Sequence, residues 1–444
     1  MQKQRTFWPF LLFSAILALA CACGSNSPQS SFSNTTSNPP TVPAKESLYV
    51  IDGTGNSSRA QHIIAFHPGA ASNTQITLPA GLLSQDHKHL YVATPQNGRT
   101  TISVINTLTG TILRTFAIPG TYSTAMQGYT TSVLSTDGKW LALRPSGPAN
   151  NLENIALIDT QAGKLAKMIR LNNNFYLDAI APNGDYLYLL EYLAHQGGRY
   201  YVRAYDVDKN QLVQQIIADK SELDDPRMVG SALTRQMAKD GKTAYTLYID
   251  TGRNIAFIHA LPLTQDSRIN PLYLARCLDL PVGKSGNLLR YYTLALSADG
   301  RTLYAANSAL GVIVQLSLAD VIFNIQISKI TFHPGDVSAA DTTNPSLYNG
   351  AQLSSDQSTL YFVGVHGIWS FSTADINAGI LHIQGNYLAD QSFTSIAMSS
   401  NGQTLYAVHP TNGLTLLNVT SGQSLQITSN PTHTPWGIAW VADQ

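Results

Sequence analysis

The stretch "LALSADGRTLYAAN", residues 294–307, contains a pattern that recurs along the chain. An apolar run leads into Ser-Ala-Asp-Gly, and after two polar residues a second apolar run with a tyrosine follows. Asp followed by Gly is typical of tight hairpins, because glycine adopts positive φ without a steric penalty. The stretch therefore predicts two short antiparallel strands, A and B, joined by a tight turn.

Six other stretches have the same pattern. They are "GLLSQDHKHLYVA" from Gly81, "SVLSTDGKWLAL" from Ser132, "AIAPNGDYLYLL" from Ala179, "RQMAKDGKTAYTLY" from Arg235, "AQLSSDQSTLYFVG" from Ala351 and "IAMSSNGQTLYAVH" from Ile396. The turn residues of all seven stretches are Asp86, Asp137, Asn183, Asp240, Asp299, Asp356 and Asn401, and successive ones are 45 to 59 residues apart. A period of this length indicates one supersecondary unit per repeat, packed against its neighbours.

A second hairpin motif follows the first in several repeats. It reads "VINTLTGTIL" (104–113), "LIDTQAGKLA" (157–166), "AYDVDKNQLV" (204–213) and "LLNVTSGQSL" (416–425). Each is a strand, a polar turn and another strand, which we label C and D. One repeat is thus four short strands, and such units arranged radially form a β-propeller.

Over residues 46–444 the repeats resemble those of the YVTN-type and WD40-like bacterial β-propellers; the clearest example is "LSADGRTLYAAN". The resemblance implies an all-β fold, an eight-bladed propeller of four-stranded antiparallel blades. Seven blades is the alternative, if the divergent repeat at residues 231–283 is misread. The family includes many binding proteins and a few enzymes, so the resemblance is informative about fold and weak for function.

The two ends of the repeat region are each incomplete. The C-terminal "GIAWVADQ", residues 437–444, reads as a strand A with the first residues of its A–B turn. The N-terminal "ESLYVIDGTG", residues 46–55, reads as a strand B without a strand A before it. We expect the C-terminal strand A to pair with the N-terminal strands and so close the ring, because an open ring would expose unpaired strand edges.

The first 45 residues predict export and anchoring. Residues 1–20 read as a signal peptide, with Lys3 and Arg5 before an apolar core. Cys21 or Cys23 is the expected lipidation site of a lipoprotein; the alternative is an ordinary secretory signal cleaved after Ala20. Residues 21–45, rich in Ser, Asn, Thr and Pro, are expected to form a disordered tether. The predicted location is the outer face of the cell membrane, or the periplasm, with the lipid as the membrane contact.

Composition and motifs restrict the function. The formal net charge is zero and 12% of residues are charged, which argues against nucleic-acid binding. No spacing typical of covalent haem, zinc, calcium, a nucleophile elbow or a phosphate loop is complete, so no catalytic residue, metal or cofactor is predicted. The main hypothesis is a monomeric, non-catalytic module that binds a protein, a cell-envelope component or a ligand. The alternative is a propeller enzyme resembling a lactone hydrolase or a quinone- or metal-dependent oxidoreductase, with its site in the central channel.

The long connections predict which end of the propeller binds. Antiparallel strand order puts A–B and C–D turns at one end and B–C and D–A connections at the other. The longest connections begin at Pro119, Leu143, Glu191, Ala218, Pro281 and His333, and all fall in the second class. Because long loops on a rigid scaffold commonly carry function, this end is the expected binding face. The candidate residues are Tyr122, Tyr129, His195, Arg199, Asp224, Arg227, Lys284, Arg290, Tyr292 and Tyr348, with Asp225 beside them.

Overall fold

The computed structural model describes residues 40, 46–53, 62–66, 76–124, 131–145, 152–219, 223–263, 274–318, 326–337, 347–409, 413–427 and 435–443. Within these ranges the regular secondary structure is almost entirely β-strand, with one short α-helix and one 3-10 helix. None of the helices in the described ranges has the length and apolar character needed to cross a membrane.

The strands of the first half of the chain are short and follow one another at close intervals. They are β1 (Glu46–Asp52), β2 (His62–Phe66), β3 (Ile76–Pro79), β4 (Leu82–Leu83), β5 (His89–Gln96), β6 (Arg99–Asn106), β7 (Ile112–Pro119), β8 (Ser132–Leu134), β9 (Trp140–Leu143), β10 (Leu152–Asp159), β11 (Lys164–Asn172), β12 (Asn174–Ile180), β13 (Tyr186–Tyr192), β14 (Tyr200–Asp206) and β15 (Gln211–Asp219).

The second half continues in the same way and contains both helices. Its strands are β16 (Ser231–Met237), β17 (Thr243–Asp250), β18 (Ile255–Pro262), β19 (Leu274–Asp279), β20 (Tyr292–Leu296), β21 (Thr302–Asn307), β22 (Val312–Ser317), β23 (Ile327–Thr331), β24 (Ala351–Leu353), β25 (Thr359–Val363), β26 (Ile368–Ser372), β27 (Ile383–Tyr387), β28 (Ser395–Met398), β29 (Thr404–His409), β30 (Gly413–Asn418), β31 (Ser424–Ile427) and β32 (Pro435–Asp443). The 3-10 helix is Gly286–Tyr291, and the α-helix α1 is Thr373–Ala378.

The described strands form six sheets of four strands and one of eight. We number the four-stranded units I to VIII in chain order: β1–β3 with β32 form unit I, β4–β7 unit II, β8–β11 unit III, β12–β15 unit IV, β16–β19 unit V, β20–β23 unit VI, β24–β27 unit VII and β28–β31 unit VIII. Units IV and V are the two halves of the eight-stranded sheet. Within each unit neighbouring strands are antiparallel, as the sequence predicted.

The A–B turns form where the sequence predicted them, through a repeated local hydrogen-bond pattern. In unit VI, Ser297 Oγ donates to Asp299 Oδ1 (2.6 Å), and the same carboxylate oxygen accepts from Arg301 N (3.0 Å). The hydrogen bonds from Ser297 and Arg301 lower the pKa of Asp299. The Ser–Asp or Ser–Asn pair recurs at the equivalent turn in four more units. The repeated sequence motif therefore stabilises the A–B turns.

Unit I joins residues from the two ends of the chain. Strand β32 pairs with β1 in antiparallel register from Glu46 opposite Asp443 to Asp52 opposite Pro435. Trp440 stacks on Tyr49 with ring centroids 3.9 Å apart. The expectation of an A–B turn at residues 441–444 was wrong in detail, because residues 441–443 continue β32 and pair with residues 46–48.

Units IV and V share one hydrophobic core, and their outermost strands are hydrogen-bonded. Strands β15 and β19 pair in parallel, with Ala218 opposite Leu274 and Asp219 opposite Ala275. Buried Tyr188 and Phe257 belong to the core cluster between the two units. The pairing merges two repeats that the sequence presents as separate.

Long connections occur at both ends of the strands, whereas the sequence analysis found the longest ones only among the B–C and D–A connections. The C–D connections of units I, V, VI and VII span residues 67–75, 263–273, 318–326 and 373–382. In unit VII the connection contains α1, which begins after the N-cap Ser372 and ends at Gly379, with φ +69°. Connection length alone therefore does not single out one end of the molecule.

Candidate functional site

A cavity of about 450 Å³ lies where connections from units IV, V and VI meet. All of them are B–C or D–A connections or the residues next to them. The lining residues are Tyr192, Gly197, Gly198, Gly230, Ser231, Ala232, Leu233, Ile249, Asp250, Thr251, Arg253 and Arg290. The volume is in the range of small-molecule sites, roughly 300–1,000 Å³. The candidate site is therefore at the end that the sequence predicted, although most lining residues were not among the candidates.

The B–C turn of unit V places a charged pair on the cavity wall. Asp250 ends β17, and its Oδ1 accepts from Arg253 N (2.9 Å), while Arg253 Nη1 donates to Asp250 Oδ2. Burial alone would raise the pKa of Asp250, but the hydrogen bonds from Arg253 lower it below its ordinary value. Arg253 Nη2 also donates to Gly197 O (2.7 Å), which links the turn to the B–C loop of unit IV. The guanidinium is thus held in one orientation.

The 3-10 helix brings Arg290 to the cavity from unit VI. Gly286 starts this helix, and a Cβ atom there would lie 1.9 Å from Thr251 O of the unit V turn. Only glycine allows so close an approach of two backbones. Tyr292 follows the helix and is buried, with its hydroxyl donating to Pro281 O (2.6 Å). These contacts fix the helix that carries Arg290.

A second charged group lies in two of the connections that meet at the cavity. Arg227 Nε donates to Asp225 Oδ1 (2.6 Å), and Arg199 Nη1 lies 3.7 Å from Asp225 Oδ2. The Arg227 hydrogen bond lowers the pKa of Asp225 to about 2. Arg227 Nη1 also contacts Gln196 Oε1 (3.5 Å). These contacts therefore link the unit IV B–C loop to the following D–A connection.

The structure brings most of the charged sequence candidates together here. His195 and Asp224 are exposed in the same connections as Arg199 and Arg227, and His195 has φ +60°. Lys284 is exposed in the connection that carries Arg290. Arg290 lines the cavity itself. The sequence analysis missed Asp250 and Arg253, since only the longest connections were searched. It also passed over Tyr192, which lies in the connection beginning at Glu191. The short "DTGRN" of residues 250–254, in the divergent repeat, was the available signal.

The tyrosine candidates are placed differently. Tyr122 is 2% exposed; its hydroxyl donates to Asn154 O (3.2 Å), so it is a core residue and not a surface contact. Tyr292 is 1% exposed and supports the 3-10 helix. Tyr348 is half-buried and packs edge-on against Trp436, with ring centroids 5.5 Å apart. Tyr129, Cys21 and Cys23 lie outside the described residues.

A larger cavity of about 710 Å³ lies at the opposite end of the strands. Its walls include Asp86, Asp137, Arg114 and Lys239, from A–B and C–D turns and the strands beside them. Both aspartates accept the turn hydrogen bonds that recur in other repeats. Arg114 Nη1 donates to Thr160 O (2.9 Å) and to Gln161 O. Turn formation explains Asp86 and Asp137, and hydrogen bonds to backbone carbonyls explain Arg114, so we favour the cavity of units IV to VI.

A buried polar cluster lies between the A strands of units IV and V. Arg235 of β16 forms an ion pair with Asp178 of β12, and the two side chains are 7% and 3% exposed. Asp178 Oδ1 also accepts from the hydroxyl of Tyr248 (3.2 Å), whose ring lies 6.1 Å from that of His259. Asp178 is at an irregularity of β12 opposite Leu189 and Tyr188. Such bulges redirect side chains, and here the carboxylate points between the units.

His259 makes the stability of this cluster pH-dependent. Burial lowers the pKa of His259 to about 4. The charge of Asp178 raises this pKa, and the charge of Arg235 lowers it. The unfolded chain binds a proton at this ring below pH 6.5, whereas the folded protein does so only near pH 4. The stabilisation from the neutral ring is therefore complete above pH 6.5 and is lost as the pH falls through about 4, a loss of about 3 kcal/mol.

We expect His259→Phe to remove most of this slope, since phenylalanine keeps the ring and cannot titrate. The free energy of unfolding, measured by urea denaturation at pH values from 7 to 4, is the test. His62→Phe, at an exposed position of β2, is the control and should keep the wild-type slope. An unchanged slope in His259→Phe would show that other groups dominate acid sensitivity.

No group of three or more His, Cys, Asp or Glu side chains in the described part of the chain is arranged to hold a metal ion. Comparisons with known proteins are informative about the fold. No protein-family model matches the sequence, and no curated protein matches it.

Solved structures do match. The dihydro-heme d1 dehydrogenase NirN is similar over 92% of this chain and 77% of its own, at 11% identity and a TM-score of 0.51. The periplasmic gluconolactonase PpgL of Pseudomonas aeruginosa matches over 80% and 98%, at 16% identity and a TM-score of 0.41. The β-propeller domain of Cps50 (Swd1) from Myceliophteria thermophila matches over 79% and 97%, at 13% identity and a TM-score of 0.39.

The repeated four-stranded antiparallel sheets identify the fold as a β-propeller. At identities this low the likeness concerns the fold alone. NirN is named as a dehydrogenase, but a shared fold does not choose between binding and catalysis.

Proposed function

We propose that this protein is an exported, lipid-anchored, eight-bladed β-propeller that acts as a non-catalytic binding module. It binds through the end formed by its B–C and D–A connections, at units IV to VI. The observation that carries the proposal is the convergence of charged residues from several connections on one cavity, with Asp250, Arg253 and Arg290 in its wall. These residues lie outside the repeated turn motif, so the architecture alone does not require them.

Three observations support an eight-bladed closed ring. The described strands divide into eight four-stranded units. The A strands of successive units contact each other from β16 through β20, β24 and β28 to β32. Strand β32 also completes unit I by pairing with β1. A ring closed in this way leaves no innermost strand without a neighbour.

The anchor is proposed from the sequence of residues 1–45. A lipidated Cys21 or Cys23, followed by a polar tether, would hold the propeller at the membrane surface. Replacing both residues, Cys21→Ser with Cys23→Ser, should move the protein from the membrane fraction to the soluble exported fraction. If the double variant stays in the membrane fraction, the proposed lipid anchor is wrong.

Cross-linking in intact cells tests the binding face. Lys284 is an exposed lysine on the proposed face, and Lys88 and Lys239 are exposed lysines of A–B turns at the other end. With an amine-reactive reagent and mass spectrometry, we expect cross-links to a partner from Lys284, lost in Lys284→Arg. Lys88→Arg is the matched control and should leave those cross-links unchanged. If cross-links to a partner form only from Lys88 and Lys239, the partner binds at the end of the A–B and C–D turns, and the proposed binding face is wrong.

A further inference from the structure

Arg290 is a cavity residue whose charge is not compensated. It is half-buried in the last turn of the 3-10 helix. In the described part of the structure its side chain has no ion pair or hydrogen bond, whereas Arg199, Arg227 and Arg253 each lie within 4.0 Å of an aspartate. A half-buried guanidinium without a protein partner is a binding position for an external oxyanion.

The rest of the cavity wall does not neutralise this charge. Asp250 is the one carboxylate that lines the described cavity. Both its oxygens accept hydrogen bonds from Arg253, from the backbone N–H and from the guanidinium. Counting Arg253, Arg290 and Asp250, the wall has one positive charge in excess. The cavity therefore favours an anionic ligand.

The wall also offers a fixed donor and an open approach. Arg253 is held by Asp250 and by the carbonyl of Gly197, and its side chain is 45% exposed. Gly197 and Gly198 have φ of +63° and +79°, and neither has a side chain that covers the guanidinium. Tyr192 lines the same cavity. The cation and the oriented donor together suit a compact polar molecule with an acidic group.

We propose that this cavity binds a small organic oxyanion, with Arg290 receiving its carboxylate or phosphate group and Arg253 donating a second hydrogen bond. The inference rests on the proposed function, since it names the ligand class of the same site. A volume of about 450 Å³ suits a molecule of sugar size. The donors of a guanidinium fit a planar carboxylate and a phosphate equally, so the proposed ligand class includes both groups.

Calorimetric titration of the full chain tests the inference with three matched probes. D-glucuronate carries a carboxylate, D-glucose 6-phosphate carries a phosphate, and D-glucose carries neither. We expect one or both acidic sugars to bind about tenfold or more tightly than glucose, because a charge-assisted hydrogen bond contributes more than a neutral one. Arg290→Gln should weaken that binding by about tenfold to a hundredfold. Arg99→Gln, an exposed arginine at the B–C turn of unit II, should leave it unchanged.

The outcomes test the charge preference and the role of Arg290 separately. Equal affinity for glucose and for both acidic sugars overturns the charge preference, and so does the absence of measurable binding of any probe at millimolar concentration. Binding that survives Arg290→Gln places the ligand elsewhere and overturns the role of Arg290. The proposed function is judged separately, because a partner cross-linked through Lys284 would support it even if no probe binds. Chemical conversion of a bound probe, followed by NMR, would instead refute the non-catalytic function and keep the ligand class.

Discussion

The substitution Asp178→Ala should lower the free energy of unfolding by about 3–5 kcal/mol, because it leaves a buried arginine without its counter-charge. Asp178 and Arg235 are buried between units IV and V and form an ion pair. The hydroxyl of Tyr248 would lose its acceptor in the same step. Urea denaturation followed by far-UV circular dichroism measures the change. Asp224→Ala, an exposed position in the D–A connection, is the matched control and should change stability by no more than about 0.5 kcal/mol.

A double variant separates the loss of the pair from the loss of packing. Asp178→Leu with Arg235→Met replaces both charges by apolar side chains, and replacements of this kind are often neutral or stabilising. We therefore expect the double variant to recover most of the stability that Asp178→Ala loses. If Asp178→Ala costs less than about 1 kcal/mol, the pair is hydrated in solution and the cluster is not a closed core.

The substitution Trp440→Ala should cost a similar amount, about 3–5 kcal/mol, the usual range for removing a buried tryptophan. Trp440 is 5% exposed and stacks on Tyr49 at 3.9 Å, across the pairing of β32 with β1. The same side chain lies in the core cluster with Leu90 of unit II. The variant therefore weakens the contact between the first and last described strands.

The measurement is again equilibrium denaturation, with Leu425→Ala as the control. Leu425 belongs to β31 and is 51% exposed, so its removal should change the free energy of unfolding by about 0.5 kcal/mol or less. Limited proteolysis adds a second readout, since Trp440→Ala should expose β32 to cleavage earlier than wild type. Indistinguishable stability of Trp440→Ala and wild type would mean that β32 contributes little to unit I.

The features predictable from the sequence are those set by local chemistry. The A–B turns follow from a serine and an acidic or amide residue two positions later, whose hydrogen bonds lie within a few residues. Strand order within a unit then follows from short antiparallel connections. The pairing of β1 with β32 was predictable because each end of the repeat region lacked a strand.

The features that the sequence did not predict depend on contacts between distant residues. Tyr122 looked like a loop residue, but its ring is buried by residues of units II and III. The sequence contains a pattern that could have predicted the Asp178–Arg235 pair. Each residue lies five positions before the turn residue of its own repeat, Asn183 or Asp240. Opposite charges at one position of consecutive repeats indicate contact between neighbouring units. The cavity was only partly predictable, since a short turn contributed Arg253.

The parallel pairing of β15 with β19 has a consequence for how the protein opens. In repeat proteins each unit contacts only its neighbours, so opening can spread from one repeat to the next. Units IV and V are joined both at Asp178–Arg235 and at residues 218–219 with 274–275. They should therefore open as one cooperative block, and their slowest amide protons should exchange with a single common free energy.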